Sequence, residues 1–277
     1  MGGHPAVKGE EKMRRRPWLP KAARSVLQFL LPFLVVGALW EVLARSGILH
    51  LAHFPAPSQI VERMWALFEQ GVLWKNIAQS LRRMLIGYLA AIGVGVTAGA
   101  LLALQDGLRE TFAPLISMLM SVPTIAWVPV LLISMGLGDR TVITAVFLGG
   151  VFAITFNTMR GIEMVSKDHI NAGRIMGVRG AKIFFSILLP ASLVSVITGL
   201  RLGVGYSWRA LVGGEMLAAM VEWGVGKMIF QARFWNDVQA MFVGLMVIGI
   251  ISFLIERVLL KWLERATVEK WGMLAKR

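Results

Sequence analysis

The sequence predicts an all-α membrane protein with about six transmembrane helices. Three observations carry that expectation. Hydrophobic residues make up 56% of the chain and charged residues only 16%, where a soluble domain carries roughly 25% charged residues. Long stretches free of charge recur along the chain. The lysines and arginines between them are shared unequally between alternate loops.

Each backbone group in lipid must bond within its own helix, and about 20 apolar residues cross the hydrocarbon core. Uncharged runs therefore mark the spans. The first is 26–43. The basic stretch before it, Lys8 to Arg24, superficially resembles a secretory leader. The apolar run is longer than a leader's, however, and no small-residue cleavage site follows. A retained span behind a cytoplasmic basic arm (1–25) is expected, with Trp40 and Glu41 at the outer interface.

Residues 54–80 hold Pro55 and Pro57, then Ile60, Met64 and Leu67 at helical spacing. That pattern suits an amphipathic helix on the outer face or beside the bundle. The second span is 84–104. Its Ala91, Gly95, Gly99 and Ala103 recur every four residues, so one face admits a close neighbour. Gly199 and Gly203 do the same in the fifth span. Packing inside the bundle is the expected use of both faces, with a dimer seam as the alternative. The run 111–138 is too long for one straight crossing, and Pro114, Pro123 and Pro129 predict a kinked or broken helix. Runs 141–159, 183–200 and 238–255 complete the set. The transmembrane domain is thus expected over 26–265, followed by a cytoplasmic tail, 266–277.

With the N-terminus inside, 19 of the 29 lysines and arginines fall on the cytoplasmic side and 10 on the other. Both termini are therefore expected in the cytoplasm. Arg82 and Arg83 go against the trend, crowding the outer end of the second span. This asymmetry accounts for the formal charge of +13, with membrane lipid rather than nucleic acid as the partner. Cysteine is absent, which excludes disulfides, thiolate metal sites and cysteine nucleophiles.

Between the fourth and fifth spans the chain turns polar. Arg160, Glu163, Lys167, Asp168, Arg174, Arg179 and Lys182 keep 160–186 out of lipid. Ser166 suits the N-cap of a helix from Lys167, with Asp168 in its first turn. Ala172, Ile175 and Met176 fall on one face, Asn171 and Arg174 on another. Gly177 can take the left-handed conformation that stops the helix. A second helix begins near Ala181, and Pro190 enters the fifth span. Such a hairpin can serve as a lever for a partner, or rest on anionic headgroups; the residues alone leave both open.

Polar residues inside apolar spans are costly and mark candidate pathway positions. They are Asn157 in the fourth span, Thr198 and Arg201 in the fifth, and Ser207, Arg209 and Glu215 just beyond. Arg201 offers forked donors to an oxyanion; its other expected use is a pair with Glu215. Arg209 and Glu215 also suit a salt bridge. Ser121, Thr124 and Trp127 flank the prolines of the third span, where an unwound turn would expose backbone groups to a cavity.

The polar hairpin resembles the EAA signature of bacterial ABC-importer permeases. Ala172, Gly177, Ile187, Leu189 and Pro190 match at its offsets, while Asn171 stands for the usual glutamate and Gly173 for the second alanine. Pro55 to Ser58, Ser121 to Pro129, and 190–216 resemble the nitrate, sulfonate and taurine branch of these permeases, and the similarity runs over roughly residues 25–265. The resemblance implies a type I importer bundle, multi-pass in the bacterial inner membrane, with a cytoplasmic coupling hairpin. It implies contact with ATP-binding subunits through Lys167, Asp168, Asn171, Ala172, Gly173, Arg174 and Gly177. It further implies a second permease subunit in a homodimer, an extracytoplasmic solute-binding protein and a small anionic solute.

No catalytic residue and no metal site are expected in this chain. It lacks a GxxxxGK[ST] phosphate loop, so ATP and Mg are expected in the partner ATPase. His4, His50, His53 and His169 lie outside the spans, against an intramembrane enzyme. A transporter driven by an ion gradient, the remaining alternative, would require acidic residues in mid-span. Glu41 and Glu256 lie at span ends, leaving only Glu215.

Overall fold

The computed structural model describes residues 21–46, 54–218 and 221–255, and all regular structure among them is helical. Most of the basic arm, the stretch 47–53 with His50 and His53, and residues 256–277, which hold Glu256, the end of the expected transmembrane domain and the tail, lie outside the described residues. Helix α1 (Lys21–Arg45) begins inside the expected arm. The chain divides into a unit up to Ser58 and a larger one from Gln59. In the first, the Glu41 carboxylate accepts from Arg45 Nε at 2.6 Å and from the Ser58 amide at 3.0 Å. These bonds tie the end of α1 to Ser58. Helix α2 runs Pro57–Glu69.

The larger unit is built on three long helices. Gly71, at φ 70°, turns the chain into α3 (Val72–Leu104). Its 33 residues extend roughly 50 Å, so the span expected from residue 84 starts well before it. The helix continues through Asn76, Ser80 and Arg83 because the bundle interior satisfies those side chains. Helix α6 (Asp139–Glu163) lies between α3 and α9 (Leu189–Leu217) and packs along both. The short α8 (Ala181–Ile183) and a π-helical turn, Phe184–Leu188, run into α9 without a break. The resulting helix, Ala181–Leu217, has 37 residues. It therefore includes Arg201, Ser207, Arg209 and Glu215, three of which were expected beyond the span.

The small-residue faces pack within this bundle. Gly95 lies against Ile154 and Gly99 against Thr155 and Thr158, all on α6. From the other side of α6, Asn157 meets Gly199 and Ile154 meets Gly203. Backbones this close bring many weak dispersion contacts into range, which is how helices associate where lipid is as apolar as the side chains. Tyr88 Oη, donating to the Leu200 carbonyl at 2.7 Å, links α3 directly to α9.

The third apolar run is broken, as its prolines predict. Helix α4 (Asp106–Ser121) and the segment Thr124–Met135, a 3₁₀ turn (Thr124–Trp127) continuing into α5 (Val128–Met135), are bent by 95° at the break between them. Pro123 supplies no amide hydrogen at the break. Pro129 sits in the first turn of α5, and Pro114 is accommodated within α4. Helix α7 (Lys167–Ile175) forms the hairpin. Helix α10 (Val225–Phe234) was not anticipated; α11 (Val238–Leu254) follows, capped by the Asp237 carboxylate on the Ala240 amide at 2.9 Å. Arg63 Nη2 donates to the same Asp237 at 2.6 Å and joins α2 to that corner.

Among the described residues, three helices are long and apolar enough to cross a membrane: α3, α6 and Ala181–Leu217. The bent α4–α5 pair makes a fourth if taken as one span, and α11, at 17 residues, is shorter.

Candidate functional site

The hairpin forms as its residues dictate. The Asp168 amide donates to Ser166 Oγ at 3.2 Å, capping α7 at its start. At its end Gly177 takes φ 83°. Its amide reaches the Arg174 carbonyl at 3.0 Å, and the Val178 amide reaches that of Gly173 at 2.9 Å. That paired pattern is a Schellman motif. Both ends of the nine-residue helix are therefore satisfied by local groups.

The apolar residues Ala172, Ile175 and Met176 of α7 face outward. Ile175 is 87% exposed and Met176 76%. Ala172 is exposed with them, as are Lys167, Asp168, Asn171, Arg174 and Gly177. The face that packs on the bundle is Ile170 and Gly173. Ile170 joins a cluster with Ala100, Ile162, Phe184 and Leu188, drawn from α3, α6 and the root of the long helix. A helix that turns isoleucine and methionine outward beside charged residues presents the composition of a protein interface core.

Two cavities adjoin the outward face of α9. The larger, about 820 Å³, is lined by Arg201, Arg209 and Ile125 together with apolar residues of α9 and α11. The second, about 600 Å³, is lined by Ser121, Thr124, Trp127, Ile125 and Arg209. Arg209, Tyr206 and Ile125 belong to both. The Arg209 guanidinium stands 5.8 Å from the Tyr206 ring centroid, where the electron-rich face attracts the cation. Five of the nine sequence candidates thus converge: Ser121, Thr124, Trp127, Arg201 and Arg209. Thr198 lies on the exposed side of α9 outside both cavities, its Oγ1 donating to the Val194 carbonyl at 2.9 Å.

The remaining three serve helix contacts. Asn157 bonds the Ala153 carbonyl at 2.8 Å and faces Gly199. Ser207 is buried and donates to the Val146 carbonyl of α6 at 2.8 Å. Glu215 pairs with neither Arg201 nor Arg209; fourteen residues along α9, roughly 21 Å, separate it from Arg201. Its partner is Arg83, whose Nη1 lies 2.7 Å away. Ser80 Oγ and the Gly226 amide also donate to Glu215, at 2.8 and 3.0 Å. Arg83 further donates to Asp139 at 2.8 Å and to the Trp223 carbonyl at 2.6 Å. The Asn76 side-chain oxygen accepts from the Gly224 amide at 2.8 Å. Sequence reasoning placed Arg83 at an outer interface. The one available signal was the spacing of Asn76, Ser80 and Arg83, which puts three polar groups on one helical face.

The model of the family described as "binding-protein-dependent transport system inner membrane component" matches residues 91–269. The chain belongs to this family. As a permease it is 28% identical to the taurine transport system permease protein TauC of Escherichia coli (strain K12), over 88% of this chain and 90% of that one. It is 30% identical to the nitrate import permease protein NrtB of Synechocystis sp. (strain PCC 6803), over 80% and 82%. Its fold matches a chain of the inward-facing MetNI methionine ABC transporter at TM-score 0.53, with 19% identity, 69% of this chain and 96% of that one covered. The expectation of an ABC-importer permease is thereby met. An EAA motif and a coupling helix follow from membership of the family.

Proposed function

We propose that this permease moves a small oxyanion inward through the cavities beside α9, driven by ATP-binding subunits that grip α7. One observation carries the reading. The doubly capped α7 turns Ile175 and Met176 outward and seats its other face on the root of the helix that bears Arg201 and Arg209. Force applied to α7 therefore reaches the lining of both cavities through a continuous element.

The substrate class follows from the two guanidinium groups, which offer forked donors to planar or tetrahedral oxyanions. The relatives named for taurine and nitrate support it: a sulfonate and a nitrate ion both suit such donors. ATP and Mg belong to the partner subunits. A solute-binding protein delivers the substrate from outside, and a second copy of the permease completes the pathway. The membrane is the bacterial inner membrane, with both termini in the cytoplasm.

Uptake into proteoliposomes tests this reading. Transport of taurine, nitrate or a related oxyanion should require ATP, the ATPase subunits and the binding protein together. Uptake by the permease alone under an ion gradient, with none of these present, would refute it.

A further inference from the structure

Helix α2 has three sides. At about 100° per residue, Leu67, Ile60, Met64, Phe68, Val61 and Trp65 fill one arc of roughly 160°. Only the first part of that arc meets protein. Ile60 and Leu67 are buried, Met64 is half-buried, and Phe68, Val61 and Trp65 are each more than half exposed. The rest of the circumference holds Glu69, Glu62, Ala66 and Gln59, with Arg63 bonded to Asp237. The apolar face read from the sequence, Ile60, Met64 and Leu67, is thus the one the protein itself covers. A helix between protein and water needs one apolar side; α2 has a second.

Trp65 sits where that second side meets the acidic one. Its ring centroid stands 6.0 Å from that of Phe68, while its Nε1 donates to Glu69 at 2.7 Å. An apolar body with a satisfied polar edge is how tryptophan sits where hydrocarbon meets water.

The height of α2 along the bundle agrees. Arg63 Nη2 donates to Asp237 at 2.6 Å, and Asp237 caps α11. The 17 residues of α11 carry no charge and extend roughly 26 Å, close to the thickness of the hydrocarbon core. Helix α2 is therefore held where α11 passes from polar to apolar surroundings. Trp74, in the first turn of α3, and Trp235, two residues before Asp237, are exposed at the same end. That end is remote from α7. Arg83 of α3 meets Asp139 at the start of α6, whereas Gly99 meets Thr155 and Thr158 in the last third of α6, which leads to α7.

We propose that α2 is an interfacial anchor. It lies in the plane of the membrane surface at the end of the bundle remote from α7. Val61, Trp65 and Phe68 dip among the lipid chains just beneath the headgroups, and Glu62 and Glu69 stay in water. The partner of this surface is the bilayer, because its exposed apolar side, its boundary tryptophan and its acidic side follow one another around the helix in the order that lipid, headgroup and water do.

The test uses the full-length permease, assembled with its ATPase subunits, in vesicles of phosphatidylethanolamine and phosphatidylglycerol. The chain has no cysteine, so Val61→Cys, Phe68→Cys and Glu62→Cys each give a single site for a nitroxide label. All three side chains are exposed, and the labels leave the packing intact. Paramagnetic resonance then compares access of oxygen, which enters lipid, with access of a water-soluble nickel chelate. The labels at 61 and 68 should lie about 5–10 Å below the phosphates, open to oxygen and closed to nickel. The label at 62 should show the reverse. Nickel access at all three sites would overturn the proposal, since the stripe would then face water. Labels at 61 and 68 closed to both reagents would overturn it too, since another protein surface would then cover the stripe.

Discussion

Arg83 and Glu215, 132 residues apart in the chain, meet at 2.7 Å where α3 passes α9. Their side chains are 2% and 0% exposed. Asp139, Ser80, Asn76 and the backbone of 223–226 complete the network, which joins α3, α6 and α9 to the start of α10. Two charges taken out of water hold together because nearly every remaining donor and acceptor around them is matched.

Breaking that pair from one side is expected to be severe. Glu215→Ala leaves the buried Arg83 guanidinium with only the partly exposed Asp139 as counter-charge, which should cost roughly 3–5 kcal/mol. The double variant Arg83→Met/Glu215→Met should unfold much closer to wild type, since apolar side chains of similar volume remove both charges. Thermal unfolding of the detergent-solubilised protein measures both. A Glu215→Ala protein with wild-type thermal stability would refute the assignment.

Two glycines of α3 should respond in opposite ways. A β-carbon at Gly99 would stand 2.6 Å from the Thr155 carbonyl oxygen, which cannot rotate aside; at Gly93 it would meet nothing within 4 Å. Gly99→Ala should therefore destabilise by roughly 1–3 kcal/mol. Gly93→Ala should be neutral, or stabilise by up to about 1 kcal/mol through helix propensity. Equal melting temperatures for the two would show that the α3–α6 packing is looser than these distances imply.

Arg209 lines both cavities, whereas Ser207, two residues before it, is buried against Val146. Uptake should fall at least about tenfold in Arg209→Gln, which loses the charge and the fork together. Arg209→Lys should rescue it only partly, because a point charge does not reproduce bidentate geometry. Ser207→Ala should lower stability by about 0.5–1.5 kcal/mol, the worth of one hydrogen bond, and leave the KM for solute unchanged. Initial uptake rates against solute concentration separate the two effects.

Gly177 closes the Schellman turn at φ 83°. Gly177→Ala places a β-carbon in left-handed geometry, at a cost of roughly 1–2 kcal/mol. Gly177→Asn should cost less, since asparagine tolerates that region. Hydrogen exchange over 167–178 should accelerate most in the alanine variant, next in the asparagine variant and least in wild type. Identical exchange in all three would show that the turn does not hold α7.

Much of the hairpin was legible because its determinants are local. Ser166, Gly177 and Ala181 act through bonds and dihedrals within a few residues, and the structure uses each as expected. The break at Pro123 and the small faces of α3 and α9 were legible for the same reason. The orientation of α7 was not. Helical spacing groups Ala172, Ile175 and Met176 on one side, but only packing decides that Ile170 and Gly173 face the bundle.

By itself the sequence determined the helical class, the membrane setting, the polar hairpin with its caps, and the broken third segment, because composition, periodicity and chirality act over a turn or two of chain. Only the tertiary structure decided how far α3 and α9 run, that Arg83 is interior, that Glu215 belongs to it rather than to Arg201, and which polar residues share a cavity. Those outcomes depend on what lies across from a side chain. A charge that reads as the end of a span becomes part of one when a partner 132 residues away supplies what water otherwise would.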